Sequence, residues 1–267
     1  MKLIEVKNAS FAYVKDKHIF SQMSFSIKKG EILCIIGPNG CGKSTLIDCI
    51  LGFNKLDSGE ILIGDEPIDH LKARSYAQRV AYVPQSHKTT FAFSVLDVVT
   101  MGRTYAAQIF APPGKEEQDI AKDALEQVGL FGFEDREYTK LSGGELQLVI
   151  LARAIAQQSG VLIMDEPTAH LDFTHELNVM EIVAKLVREK KKSIIMATHF
   201  LNQAYYLENA GVDTRVALMN GPNFSHVGTP SDVLTTKNLE ETFNIVTEIV
   251  SDGSGERKYI LPLKNKR

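Results

Sequence analysis

Cysteine is scarce in this 267-residue chain, and the three present, Cys34, Cys41 and Cys49, form no C-x-x-C pair. An odd, unpaired set argues against both a disulfide framework and a zinc site. Cys34 and Cys49 read as small apolar packing residues. No window approaches eighteen consecutive apolar residues, which excludes a membrane-spanning helix. The start, MKLIEVKNASF, has no signal-peptide hydrophobic region, so the chain is expected to stay in the cytosol. Neither sign of charge dominates: the formal net charge is -3 and the pI near 6.2. That balance gives no general basis for binding nucleic acid. Internal repeats and long heptad stretches are absent too.

What is present is 44 % apolar and 24 % charged, the composition of a globular protein with ample core, in one large domain or two small ones. Residues 1–30 read as short alternating strands, LIEVKNASF and IFSQMSFSI, with a turn around KDKH. GEILIG at 59–64 and VAYVP at 80–84 are strand-like, with a polar stretch containing DHLKARSYAQR between them. DIAKDALEQVGL places Ile120, Ala121, Ala124, Leu125 and Val128 at helical spacing, with Gly129 as terminator. VLIMDEP, SIIMATH and TRVALMNG restore strand character, and REKKK at 188–192 reads as a solvated helix end. The pattern predicts an α/β core of buried parallel strands interrupted by a mostly helical subdomain over about 86–158. The tail, 240–267, carries the least pattern.

An apolar run, ILCII, leads into GPNGCGKST (37–45) and then into the helix-type segment LIDCI. That context gives meaning to the phosphate-loop pattern G-x-x-x-x-G-K-[ST]. Gly37, Gly40 and Gly42 let the backbone curl until successive N–H groups face one anion, and the following helix adds its positive end. Lys43 would reach the outer phosphates, Ser44 would ligate a magnesium ion, and Thr45 would buttress the helix start. Cys41 lies among these donors, which favour a thiolate; its alkylation is expected to block nucleotide binding.

VLIMDEPTAHLD (161–172) sets two carboxylates at the end of an apolar strand. Asp165 is the expected magnesium partner, and Glu166 is placed to polarise an attacking water. Gln85 and His199 end two other strand-like runs, at the sheet edge where ligands lie in parallel α/β folds. The Gln85 amide oxygen could meet the metal or water, and His199 could donate to the terminal phosphate. LSGGELQ (141–147) offers a second anion site at a helix start. A second phosphate cradle on one chain is redundant unless a two-fold dimer uses it, each copy offering its loop to one nucleotide and its SGG turn to the other.

These motifs, in this order over roughly residues 1–235, resemble the ATP-binding subunits of ATP-binding-cassette (ABC) transporters, LSGGELQ being the most specific. The resemblance implies an α/β phosphate-loop hydrolase core of ABC ATPase type, spanning 1–267 as one domain, with an N-terminal antiparallel β region and the inserted helical subdomain. By the same resemblance Tyr13 stacks on adenine. The loop Gly37, Pro38, Asn39, Gly40, Cys41, Gly42, Lys43, Ser44 and Thr45 wraps the triphosphate of ATP with Mg2+. Gln85 senses the γ-phosphate and faces a membrane partner. Ser142, Gly143 and Gly144 close on ATP held by the opposite copy, Asp172 links the two sites, Glu166 is the general base and His199 holds the γ-phosphate.

The implied partners are a second copy of the chain, head-to-tail and ATP-dependent, a separate transmembrane permease in two copies, and a substrate-binding protein. No nucleic acid is expected, and the place is the cytoplasmic face of the membrane. VLDVVTMGRTYAAQ (95–108) and GTPSDVLTTKNLEETFNI (228–245) are similar to segments of iron–siderophore, haem and cobalamin importers. An exporter subunit, a soluble ABC ATPase or a non-catalytic ATP switch are the rivals. Repair-type cassettes need a coiled coil and translation types two cassettes, and Glu166 with His199 argues against a dead site. TTFAFSV is a candidate permease dock, with core packing the other reading of Phe91 and Phe93. Two departures stand out: Phe200 follows the histidine where the family usually has an acid, and the irregular passage from Tyr205 to Pro230, containing NGPNFSH, reads as a tolerated loop insertion, with an altered regulatory or substrate-class feature as the other reading.

Overall fold

A computed structural model describes residues 2–85, 91–105, 113–253, 255 and 257–266. The chain divides into two compact units, Met1–Leu71 with Ala184–Arg267, and Lys72–Val183.

The first unit opens with β1 (Lys2–Val14) and β2 (Lys17–Lys28), antiparallel about a turn at Lys15–Asp16. β3 (Ile32–Ile36), ILCII, is buried at all five positions. α1 (Lys43–Ile50), β4 (Ser58–Ile63) and β5 (Glu66–Pro67) follow, with β4 antiparallel to β1. After residue 183 the unit resumes with β8 (Ser193–Thr198), α7 (Asn202–Asn209), β9 (Thr214–Asn220), β10 (Asn223–Gly228), α8 (Pro230–Val233) and α9 (Thr236–Phe243). It closes with β11 (Ile245–Ser251) and β12 (Lys258–Asn265). β3 lies between β8 and β9 in parallel register. Continuous apolar burial along β3 and β8 is what parallel strands covered on both faces require.

The second unit contains α2 (Ala73–Arg79), β6 (Val80–Val83), α3 (Val95–Thr100), α4 (Lys115–Gln127), α5 (Gly143–Ala156), β7 (Val161–Asp165) and α6 (Phe173–Arg188), which runs five residues past the unit's end. β6 and β7 pair in parallel. α3, α4 and α5 pack on one another. α4 buries Ala121, Ala124 and Leu125, carries Glu116 and Glu117 in its first turn, and is followed by Gly129 at φ 78°. α5 is buried almost all round, as a helix without a polar stripe must be. Its last carbonyls are satisfied from one segment: Arg103 Nη1 donates to Ala156 O at 3.3 Å, and Tyr105 Oη to Gln157 O at 2.8 Å.

The structure extends the sequence reading at two places, the polar stretch and the tail, and corrects it at two others. The polar stretch before β6 contains α2, a helix with no fully buried residue. The passage expected as a loop insertion is a regular hairpin: β9 and β10 pair antiparallel across a two-residue turn at Gly221–Pro222, Asn220 facing Asn223. The tail folds as α9 and the antiparallel pair β11–β12. Phe91 and Phe93 are exposed, not core, with rings 5.9 Å apart; Thr89, Thr90 and residues 106–108 of the dock and importer-like segments lie outside the described residues.

Candidate functional site

In the first unit the phosphate loop joins β3 to α1. Gly42 caps α1 at φ 106°, a left-handed conformation open to glycine. Space forbids a side chain there as well: a Cβ would lie 2.6 Å from Ile19 Cγ2. At Gly37 a Cβ would meet Met219 O at 2.6 Å and Cys41 Sγ at 2.7 Å. Lys43 Nζ donates to Gly37 O at 2.9 Å and Pro38 O at 3.1 Å, so the ammonium is folded onto the loop it serves. Ser44 is exposed and Thr45 half-buried. Tyr13, 61 % exposed near the end of β1, meets Phe11 edge-on at 4.8 Å and accepts from Asn54 Nδ2 at 3.3 Å.

His199, half-buried after β8, lies against Phe200 with ring centroids 4.1 Å apart and the planes tilted by 34°. The residue that stands where the family usually has an acid thus touches the imidazole through its ring. Phe200 N in turn donates to Thr198 Oγ1 at 3.0 Å.

In the second unit Asp165 ends β7 in buried surroundings. Glu166 is 9 % exposed and sits at φ 46°, a strained position for a side chain of its size. Gln85 Nε2 donates to Glu166 Oε2 at 3.1 Å. Two candidate residues 81 positions apart are thus in contact, with Gln85 holding the candidate base rather than pointing its oxygen at it. The acceptor Oε1 is the atom that a metal or water would use.

Further along the same unit, Ser142 caps α5 in a capping box: Ser142 Oγ accepts from Glu145 N at 3.3 Å, while Glu145 Oε2 accepts from Ser142 N at 2.8 Å. The Ser142 backbone N–H, and then the Ser142 hydroxyl, both donating to Oε2, hold the Glu145 carboxyl below its ordinary value. Arg136 Nη1, 3.5 Å away, flanks it, and its guanidinium lies 3.6 Å from the Phe133 ring. Ser142 and Gly143 are exposed, so the helix end faces solvent. Asp172 Oδ1 accepts from His175 N at 2.9 Å, and Oδ2 lies 2.8 Å from His175 Nδ1. The backbone bond first, then the imidazole, lowers the Asp172 carboxyl from its ordinary value. Residue patterning did not single out His175 or Arg136. The D-x-x-H spacing of a helix cap was the available signal for the former.

No group of three or more His, Cys, Asp or Glu among the described residues could cage a metal. The candidate oxygen donors are the exposed Ser44 hydroxyl in the first unit, and the buried Asp165 carboxylate and the Gln85 amide oxygen in the second. Each is the hard oxygen type that Mg2+ takes, an ion that keeps several waters and draws on substrate phosphates for the rest of its shell.

Residues 20–169 match the ABC transporter family. The chain belongs to that family. The ATP-binding subunits of ABC transporters hydrolyse ATP, and this chain is such an ATPase. Molybdate import ATP-binding protein MolC of Haemophilus influenzae is 34 % identical over 244 residues, covering 91 % of this chain and 89 % of the relative. Iron(3+)-hydroxamate import ATP-binding protein FhuC of Bacillus subtilis is 32 % identical over 237 residues, 89 % of this chain and 86 % of the relative. Among solved structures, a metal-chelate type ABC transporter in an inward-facing conformation superposes with a TM-score of 0.84 at 32 % identity, covering 98 % of each chain.

The ABC ATPase carries one thiol in its phosphate loop and two in its core. Burial pushes Cys34 up to about 12, and burial aided by Asp48 and Asp57 does the same for Cys49. Cys41 is half-buried. Alkylation at pH 8 should therefore modify Cys41 and spare the other two, abolish nucleotide binding, and be slowed by bound nucleotide. Intact-mass and peptide mapping beside a binding titration checks this; full alkylation of Cys41 with unchanged affinity would refute it.

Proposed function

We propose that this ABC ATPase works as a two-fold sandwich of two copies around ATP and energises the import of a metal chelate through a separate membrane permease. The observation that carries the reading is the helix end at Ser142–Gly143–Gly144, solvent-facing at Ser142 and Gly143, on a chain that already has a phosphate loop. A bacterial ABC transporter cassette solved as a dimer, similar at 25 % identity with a TM-score of 0.74, and relatives named as import subunits support it.

Roles divide by unit. In the first, the loop Gly37–Thr45 binds the triphosphate through backbone N–H groups, Lys43 leaves Gly37 O and Pro38 O for the phosphates, and Tyr13 offers its exposed ring to adenine. His199 donates to the γ-phosphate. In the second, Glu166 accepts a proton from the attacking water as its oxygen adds to the γ-phosphorus and ADP departs. Gln85 holds Glu166 until closure. Ser44 in the first unit, and Gln85 and Asp165 in the second, are the residues that would offer oxygens to magnesium, which when bound would neutralise charge on the phosphate oxygens. Ser142, Gly143 and Gly144 meet the γ-phosphate on the partner copy, and Asp172 connects the two nucleotides. Closure energy shifts the permease between access states.

Permeases in two copies, a substrate-binding protein and attachment at the cytoplasmic face of the membrane complete the proposed assembly. Similarity to a metal-chelate type transporter across 98 % of each chain favours a chelate as cargo. The second reading is an oxyanion, favoured by the 34 % identity to the molybdate relative.

Glu166→Gln should keep ATP binding, lower turnover by about 100-fold or more, and trap an ATP-bound dimer on gel filtration. Turnover at the parent rate would remove Glu166 as the base. Affinity capture from gently solubilised native membranes should bring down a polytopic permease in stoichiometric amount. Capture of the ATPase without any membrane-spanning chain would contradict the transport reading and leave the ATPase.

A further inference from the structure

Gly144 is glycine for a reason other than backbone freedom. Its φ is not left-handed, yet a Cβ would lie 2.1 Å from His175 Cδ2 and 2.5 Å from Nε2. At the neighbouring Gly143 a Cβ would meet nothing within 4 Å. The imidazole of His175 therefore fills the space that a side chain at position 144 would take. The other edge of the ring is fixed: Nδ1 lies 2.8 Å from Asp172 Oδ2. With Asp172 ionised, Nδ1 carries the hydrogen and donates. One ring thus spans from the SGG turn to the aspartate that caps α6, with Glu145 of the capping box and its flanking Arg136 on the turn side. All of these residues belong to the second unit.

We propose that His175 is a positioning residue that locks Asp172 to the SGG turn. Ser142, Gly143, Gly144 and Asp172 then travel as one body when two copies close on ATP. This inference rests on the sandwich reading. Without the ring, the turn and the aspartate would each have to be ordered separately at closure, and that ordering would oppose dimer formation. Removing the ring leaves α6 capped, because Asp172 Oδ1 still accepts from the backbone N–H of residue 175. The role is thereby separable from folding.

The test uses the full chain in the Glu166→Gln background, with ATP-dependent pairing read by analytical ultracentrifugation. Adding His175→Ala should raise the ATP concentration for half-maximal pairing by about tenfold or more, the scale of a hydrogen bond to a charged group. Affinity of the isolated chain for a fluorescent ATP analogue, and the melting temperature, should stay at the Glu166→Gln values. His175→Asn, which keeps a side-chain N–H at the same reach, should recover most of the pairing. A Glu166→Gln chain that stays monomeric with ATP overturns the sandwich and this proposal together. If that chain pairs and the His175→Ala version pairs at the same ATP concentration, the His175 proposal alone falls. It falls equally if analogue binding or melting drops in step with pairing, or if His175→Asn is no better than His175→Ala.

Discussion

Three missing Cβ atoms hold this molecule's chemistry in place. Anion binding by backbone N–H groups requires the main chain to come closer to its neighbours than any side chain allows. At Gly37 the neighbour is the Met219 carbonyl, at Gly42 it is Ile19, and at Gly144 it is His175. The first two shape the loop ahead of α1, and the third fits the start of α5 against the cap of α6. The rest of the fold serves to hold the phosphate loop and the candidate side chains at the ends of rigid strands. β3 and β8, buried along their whole length, hold the loop and His199 in the first unit. β7, equally buried, presents Asp165 and Glu166 in the second.

The candidate catalytic groups are held back by bonds within the chain. Lys43 is engaged by loop carbonyls, Glu166 by Gln85, and Ser142 by Glu145. Each of these bonds joins a group proposed to meet phosphate or water to a partner of complementary charge or polarity. Nucleotide binding would exchange one set of hydrogen bonds for another, a route that keeps buried polar groups satisfied throughout. The positive φ of Glu166 fits the same pattern, with strain stored where a carboxylate must be aimed.

The motifs are legible in the sequence because their structural context is local. A fully apolar five-residue run followed by patterned glycines can mean little besides strand, loop and helix, and β3–α1 forms as that pattern implies. The helical spacing of Ala121, Ala124 and Leu125 likewise marks α4. α2 is illegible because none of its residues is fully buried, leaving no apolar stripe to read. β10 escapes notice for a related reason: it has no buried position, so strand alternation does not show. The Gly144–His175 contact joins residues 31 positions apart and follows only once α5 and α6 are packed. Phe200 in place of an acid reads as a departure from the pattern, and its ring contact with His199 shows only in the structure.

The central claim is that one nucleotide is served by Lys43 of one copy and Ser142 of another. The direct measurement is to mix two separately inactive chains, Lys43→Ala and Ser142→Arg, and follow phosphate release. Random pairing makes half the dimers mixed, and each mixed dimer holds one site with both residues intact, so the account predicts recovery of about a quarter of the parent rate. A mixture as inactive as its two components would contradict it.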